Sequence, residues 1–270
     1  MAVFGVLGFS FKAILIKLAY AWYPVDAVTL LALRMLYSAP FFIAMVIWAG
    51  RGAKRLTGAD LRSLAWLGFI GYYLASLLDF MGLEYITAAL ERLVLFLYPT
   101  IVVLLSAWIG RTPITRRAVT ALAVSYIGIL LVVAHDMRIS GEPRAIAIGG
   151  GLVFGGAILY ALYLVQATNV IRRLGSMRFI AWAMMCSTVF VFGQFVLTRP
   201  LSALAVPPSI HLLVLTMAIF STVLPTFMTA EALKRVGANQ VAILGEPLHW
   251  IQLVGAALVL VGVTLVTLKR

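Results

Sequence analysis

The sequence predicts an all-α integral membrane protein with nine to ten transmembrane helices. Hydrophobic residues make up 63% of the 270 residues and charged residues only 11%, whereas an average globular chain is about half apolar and a quarter charged. The apolar residues also fall into nine runs, most of them close to the roughly 20 residues that a helix needs to cross a bilayer. A soluble domain could not cover its surface with so few polar side chains.

Each of the nine runs is predicted to be a helix. An open sheet in lipid would leave backbone donors and acceptors unpaired, and the runs are too long for the strands of a barrel. In order along the chain, the runs cover residues 2–22, 25–49, 61–83, 86–109, 116–134, 145–167, 177–198, 209–233 and 249–268.

Lysine and arginine are unevenly distributed between alternate loops, which predicts a cytoplasmic N-terminus in the inner (cell) membrane. With this orientation the inner loops hold Arg51, Lys54, Arg55, Arg62, Arg111, Arg116, Arg117, Arg172, Arg173, Arg178, Lys234 and Arg235, and the outer loops hold Arg138, Arg144 and Arg199. The net charge of +12 therefore indicates topology. It does not indicate nucleic-acid binding, because no run of five basic residues occurs.

The two halves of the chain are weakly similar to each other. Gly110-Arg-Thr-Pro113 precedes one predicted helix, and Gly245-Glu-Pro247 precedes another. Because a five-helix unit is odd, its second copy inserts upside down, which is the inverted-repeat arrangement of many secondary transporters. The sequence therefore predicts a substrate site between two halves.

Several segments resemble the EamA-type transporters of the drug/metabolite transporter superfamily. They are Phe9-Ser-Phe-Lys-Ala-Ile-Leu-Ile-Lys17 with Leu30-Leu-Ala-Leu-Arg34, Leu83-Glu-Tyr-Ile-Thr-Ala-Ala-Leu, and the Gly-Glu-Pro before the last helix. The resemblance runs nearly end to end. It implies two inverted halves, 1–134 with helices 1–5 and 145–268 with helices 6–10, and a protein that exports amino acids or other small metabolites.

The ninth helix departs from this pattern. When the halves are aligned, the 23 residues from Thr87 to Gly110 correspond to only 8 from Gly237 to Gly245. The ninth helix is therefore predicted to be a truncated stub near 237–248, and its twelve residues reach about 18 Å across a core of about 30 Å. Two interpretations stay open: a re-entrant stub supported by its neighbours, or a shortened protein with a damaged second half.

Six ionisable side chains fall inside the predicted helices, where an unpaired charge is costly. Two of them are expected about 15 Å deep, near the midplane, and the other four in the outer third. The deep pair is Lys12 and Arg34, and the outer set is Lys17, Asp79, Glu91 and Arg92. Because few residues join helices 3 and 4, Asp79 and Glu91 are expected to share one region.

We expect this charged group to contact the transported solute. Lys12, Lys17 and Arg34 would attract an anionic group, such as the carboxylate of an anionic or zwitterionic metabolite. Asp79 or Glu91 would titrate and couple transport to protons.

The structural alternative is that the same residues form buried ion pairs that only orient the helices. Lys17 would then pair with Asp79, and Glu91 would pair with Arg92 or with Lys12. Both interpretations treat Arg92 as a charge partner.

Polar and aromatic side chains supply further candidates for a substrate cavity. Tyr98, Tyr160 and Gln166 are expected to line it, with Tyr163 beside them. Tyr72 is a further candidate for the cavity, but an interfacial position is favoured for it, because tyrosines near helix ends are commonly interfacial.

Together these observations predict a secondary transporter, an exporter of small metabolites by alternating access. No zincin, serine-hydrolase or phosphate-loop motif occurs, so neither an enzyme nor a cofactor or metal is predicted. The expected partners are the lipid bilayer, a small-molecule substrate and protons, with a homodimer as one open assembly. The alternative is a shortened, non-transporting family member with a structural or regulatory role. A channel is disfavoured because no helix carries a continuous polar stripe.

Overall fold

The computed structural model describes residues 2–51, 55–95, 97–110 and 142–244. Within these ranges the chain is helical and contains no strand, as predicted. The helices are α1 (Ala2–Trp22), α2 (Ala27–Gly50), α3 (Gly58–Leu67), α4 (Ala75–Tyr85), α5 (Ala88–Leu95), α6 (Tyr98–Gly110), α7 (Pro143–Leu174), α8 (Ser176–Thr198), α9 (Pro208–Ala218) and α10 (Leu224–Leu244). The predicted helices 116–134 and 249–268 lie outside the described residues.

Six helical stretches in the described part of the chain are long and apolar enough to cross a membrane. They are Ala27–Gly50, Gly58–Tyr85, Ala88–Trp108, Pro143–Leu174, Ser176–Thr198 and Pro208–Arg235. Each coincides with one of the apolar runs, and α1 adds a helix of 21 residues. The chain is therefore a multi-pass helical membrane protein. The total of nine to ten helices and their inverted arrangement stay predictions.

Capping side chains fix the starts of two helices. Asp26 Oδ1 accepts hydrogen bonds from the backbone N–H groups of Val28 and Thr29, at 3.0 and 3.2 Å. Thr57 and Asp60 form a reciprocal capping box at the start of α3. Because the first N–H groups of a helix have no partner within it, these side chains stabilise the helix ends.

Two of the spanning stretches change to π-helical geometry near their middle. Gly68–Leu74 joins α3 to α4, and Ile219–Val223 joins α9 to α10. The first π-helical segment starts ten residues after Gly58, and the second starts eleven residues after Pro208. Such segments are rare in helices and are frequent at functional sites.

Gly237 interrupts α10. Its φ is 79°, a left-handed conformation that glycine adopts without steric cost. The helix resumes after this residue and continues to Leu244. The predicted ninth-helix stub thus starts at a break in the helix, and its remainder beyond Leu244 lies outside the described residues.

The helices pack around a large apolar core. Helix α2 packs along α8, α4 along α7, and α1 along α10. Helices α1, α2 and α5 all contact α4. This arrangement brings charged residues of α1, α2, α4 and α5 to one place.

Candidate functional site

An ion pair between α1 and α4 forms the centre of the candidate site. Lys12 Nζ lies 2.6 Å from Asp79 Oδ2, and the Asp79 side chain is only 4% exposed. Charges attract more strongly where water is excluded, but each of them alone would be costly there. The pair therefore fixes α1 against α4.

Glu91 and Arg92 extend the cluster from the start of α5. Glu91 is fully buried, and its Oε2 lies 3.2 Å from Arg92 Nε. The carboxyl groups of Asp79 and Glu91 lie close enough to interact electrostatically. The structure thus brings Asp79 and Glu91 together, as the short connection between helices 3 and 4 predicts.

Arg34 reaches the same cluster from α2. Its side chain is buried, and its Cζ lies 4.8 Å from the centre of the Phe80 ring. The carboxylate of Asp79 also attracts this guanidinium. Because α2 begins at Ala27, Arg34 lies about 10 Å from the helix start, less deep than the ~15 Å expected from the sequence.

Lys17 lies apart from the ion pairs that the structure describes. Its Nζ donates a hydrogen bond of 2.9 Å to the carbonyl oxygen of Leu83, near the end of α4. Glu84 is the carboxylate that attracts it. The alternative that pairs Lys17 with Asp79 is therefore wrong, because Lys12 already occupies that carboxylate.

Tyrosines from three parts of the chain form an aromatic cluster beside the first π-helical segment. The hydroxyl groups of Tyr72 and Tyr163 are hydrogen-bonded to each other. The ring of Tyr160 stacks on Tyr163, with 5.6 Å between the ring centres, and meets Tyr98 edge-on at 5.5 Å. The structure therefore brings together Tyr98 and Tyr160, two of the predicted cavity residues.

Gln166 lies apart from this aromatic cluster. Its Oε1 accepts a hydrogen bond of 2.9 Å from Trp66 Nε1, and both side chains are exposed on the surface of the bundle. The third predicted cavity residue is thus on a different face of α7 from Tyr163, which is fully buried.

Sequence reasoning missed two carboxylates that bind the start of another spanning helix. Glu84 Oε1 accepts a hydrogen bond of 2.9 Å from the backbone N–H of Ala27, the first residue of α2. Glu231 Oε2 accepts one of 2.6 Å from Ser176 Oγ at the start of α8. No spacing rule in the sequence indicates such partners, because they depend on which helices are neighbours.

Two ion pairs mark opposite ends of the bundle. Arg199 Nε lies 3.2 Å from Asp26 Oδ1, and Arg173 Nη2 lies 2.6 Å from Asp60 Oδ1. We call these the Asp26 end, which includes Glu84, and the Asp60 end, which includes Glu231. The Thr57-Gly-Ala-Asp60 spacing could have indicated Asp60 as a capping residue.

Comparison with known families agrees with a helical membrane protein. The EamA-like transporter family matches residues 1–134 and 147–244, which is most of the chain. The chain belongs to the EamA-like transporter family. This confirms the resemblance drawn from the helix 1–2 segments and from the segment that begins at Leu83.

Curated relatives and a solved structure agree with this assignment. The chain is 25% identical to "Uncharacterized transporter YcbK" of Bacillus subtilis (strain 168), covering 93% of this chain and 86% of that protein. It is 24% identical to "Uncharacterized transporter YyaM" of the same organism, over 73% of this chain and 70% of that one. A solved structure titled "Crystal structure of protein" is similar with a TM-score of 0.66 at 18% identity, covering 99% and 95% of the two chains, and it supports the fold alone. The EamA-like transporter assignment therefore makes this a membrane transporter that acts on a small molecule.

Proposed function

We propose that this EamA-like protein is a secondary transporter that exports small metabolites, amino acids among them, by alternating access across the inner membrane. The observation that carries the proposal is the buried cluster of Lys12, Arg34, Asp79, Glu91 and Arg92. Charges inside a membrane bundle are costly and are typical of substrate or ion pathways. A purely structural bundle would be at least as stable with apolar side chains at these positions.

The packing of the helices supports two inverted repeats. In this arrangement α1 corresponds to α7, α2 to α8, and Gly58–Tyr85 to Pro208–Arg235. With this correspondence, the contact between α1 and α10 in one half-to-half direction matches the contact between α7 and α4 in the other. The structure contains both contacts. The two π-helical segments also occupy matching places. Repeats related in this way can rock about a site between them.

Contacts at both ends of the bundle support alternating access. At the Asp26 end, Tyr20 Oη donates a hydrogen bond of 2.9 Å to the carbonyl of Phe80, next to the contacts of Glu84 and Arg199. At the Asp60 end, Arg173 and Glu231 hold α7 and α10 against their neighbours. Both sets are formed at once, as expected for an occluded state. With a cytoplasmic N-terminus, the Asp60 end faces the cytoplasm.

The proximity of the Asp79 and Glu91 carboxyl groups supports proton coupling. Two adjacent buried carboxyl groups favour a state in which one of them holds a proton. Loss of this proton would leave a second negative charge beside Lys12 and Arg92. That change would alter how strongly the site attracts an anionic group, so proton release and solute binding are linked.

Transport measurements test this proposal. Cells that overproduce the protein should release small metabolites that control cells retain. With a released metabolite in proteoliposomes, Asp79→Asn and Glu91→Gln should lose the dependence of transport on an imposed pH gradient. The control variant Glu142→Gln, at an exposed position, should keep it. Unchanged gradient dependence in both carboxyl variants would exclude them as coupling residues.

A shortened, non-transporting family member with a structural or regulatory role is the second candidate. The observation that favours it is the interval of 8 residues from Gly237 to Gly245, against 23 from Thr87 to Gly110. A reporter fused to the C-terminus separates the two functions. A cytoplasmic reporter requires an even number of crossings and supports the transporter, whereas a reporter outside the cell membrane supports the alternative.

A further inference from the structure

Arg34 carries a positive charge for which the described cluster offers no ion-pair partner. Lys12 lies 2.6 Å from Asp79, and Arg92 lies 3.2 Å from Glu91. These two pairs engage both carboxylates of the cluster. Asp79 attracts Arg34 electrostatically, but Arg34 forms no ion pair with any of the described residues.

Burial makes the charge of Arg34 costly. The residue is only 4% exposed, and its Nε has no hydrogen-bond partner in the described part of the chain. A guanidinium group stays protonated in proteins, so it cannot become neutral to escape this cost. The Phe80 ring, 4.8 Å away, offsets only part of the lost hydration. Arg34 is therefore well placed to bind an anion that enters the bundle.

We infer that the site binds its solute through a single carboxylate, which pairs with the guanidinium of Arg34. The inference rests on the proposed transport function and specifies the substrate class. A guanidinium presents a planar fork of N–H donors that matches the two oxygens of a carboxylate. The Phe80 ring lies against one face of the guanidinium. The carboxylate therefore approaches in the plane of the guanidinium, along an edge that carries N–H donors.

The charge of the cluster restricts the solute further. In the state that has released its proton, the three cations and two carboxylates of the cluster leave one net positive charge. A monocarboxylate neutralises it, whereas a dicarboxylate would leave a buried negative charge and a cation would add to the positive one. The ammonium group of an amino acid would find both carboxylates already engaged. The α-keto acid, which lacks this ammonium group, should therefore bind more tightly than its amino acid.

Ligand-dependent thermal stability of the purified full-length protein tests this inference. The probes are matched sets built on alanine, leucine and phenylalanine: the amino acid, its α-keto acid and its amide, all at equal ionic strength. At least one set should stabilise the protein in a saturable manner through the α-keto acid and, more weakly, through the amino acid. The amide, which lacks the carboxylate, should not.

Variants at Arg34 assign the binding to its guanidinium. Arg34→Gln should weaken carboxylate binding by about 10- to 100-fold, as expected for loss of a charge-assisted hydrogen bond. Arg34→Lys keeps the charge but not the fork and should be intermediate. The matched control Arg62→Gln, at an exposed arginine of α3, should bind like the unchanged protein. If Arg34→Gln does not fold, Arg34→Lys decides the question.

Three results would overturn the inference: equal binding of amide and carboxylate, unchanged affinity in the folded Arg34 variants, or no saturable binding by any carboxylate of the panel. None of them bears on transport itself. The proposed function fails separately, when overproduction leaves the extracellular metabolites unchanged and the C-terminal reporter lies outside the cell membrane.

Discussion

The two stretches that contain π-helical segments, Gly58–Tyr85 and Pro208–Arg235, have similar backbones and different chemistry. Both are spanning stretches with a π-helical segment near the middle. The first buries the charged Asp79, and its segment packs through glycine. The second buries hydroxyl groups and carries no charged side chain between 208 and 230; the buried hydroxyl residues are Ser221, Thr222 and Thr226. The comparison shows that two spanning stretches with the same change in backbone geometry can differ in whether they bury a charged side chain.

The starts of α2 and α8 differ in the same way. Asp26 caps α2 with its side chain, whereas Gly175, with φ of 84°, precedes α8 and provides no side-chain cap. Glu84 accepts a hydrogen bond from the first backbone N–H of α2, whereas Glu231 accepts one from the Ser176 hydroxyl at the start of α8. Both helix starts therefore have a carboxylate partner from another helix, but only Glu84 binds a backbone N–H group.

The largest effect is expected from removing the buried charge of the first stretch. Asp79→Leu leaves the Lys12 ammonium without its ion-pair partner and should destabilise the protein by about 3–5 kcal/mol. Ser221→Ala, in the second stretch, removes a buried hydroxyl that has no hydrogen-bond partner among the described residues. It should change stability by less than about 1 kcal/mol. Unfolding in detergent measures both, and equal effects would remove the contrast between the stretches.

The double variant Lys12→Met with Asp79→Leu is the control for this experiment. It replaces the ion pair by apolar side chains and should recover part of the stability lost in Asp79→Leu alone. If the double variant is no more stable than Asp79→Leu, Asp79 contributes to stability through the packing of its side chain and not through its charge.

Glycine packing in the first π-helical segment should give the next largest effect. A Cβ at Gly68 would collide with the carbonyl oxygen of Ala183, and one at Gly71 with the Tyr163 ring. Gly68→Ala and Gly71→Ala should each cost about 1–3 kcal/mol. A Cβ at Gly193 in α8 would meet no atom within 4 Å in the part of the chain that the structure describes, so Gly193→Ala should be neutral or stabilising by up to about 1 kcal/mol. The same unfolding assay measures these variants, and a harmless Gly68→Ala would contradict the packing described here.

Substitutions of Glu84 and Glu231 should have smaller effects, each at a different end of the bundle. Glu84→Ala frees the start of α2 and should loosen the Asp26 end, whereas Glu231→Ala frees Ser176 and should loosen the Asp60 end. Each lost hydrogen bond contributes about 0.5–1.5 kcal/mol. Its loss should raise the population of molecules in which that end is open by about 2- to 12-fold. Hydrogen exchange of the amides at the two ends measures the shift. If both variants loosened the same end, the contacts at the Asp26 end and the Asp60 end would not act separately, as alternating access requires.

The smallest effect concerns acid stability at the start of α2. Partial burial would raise the pKa of Asp26, but hydrogen bonds from Thr29 and the ion pair with Arg199 outweigh it and lower the pKa. The stability that its charge contributes is present above the unfolded pKa of about 4 and is lost as the pH falls through the folded value. Asp26→Asn keeps the cap and should flatten the loss of stability below about pH 4.

The expected change is below about 1 kcal/mol, because Asp26 and Arg199 are each more than a third exposed and solvent screens them. Arg199→Gln should weaken the same acid dependence, and unfolding measured from neutral to acidic pH compares the two. An unchanged pH profile in both variants would show that this carboxylate does not contribute.

The charged cluster could be predicted in part from the sequence. Lys12, Arg34, Asp79 and Glu91 stand out because a charge in an apolar run has few explanations. Their pairing could not be predicted, because Lys12 and Lys17 lie on one helix and only its rotation and depth decide which of them meets Asp79. Gln166 shows the same limit, since its position on an exposed face of α7 depends on which side of that helix the neighbours cover.

The amino-acid sequence alone determined the helical class, the spanning stretches and the family, because hydropathy and spacing are local properties of the chain. Tertiary structure decided the ion pairs, the place of the π-helical segments and the contacts of Glu84 and Glu231, because these depend on how helices far apart in sequence rotate and pack against one another. In a membrane bundle the apolar surfaces are alike, so the hydropathy pattern fixes which segments are buried in the bilayer but not which helices become neighbours.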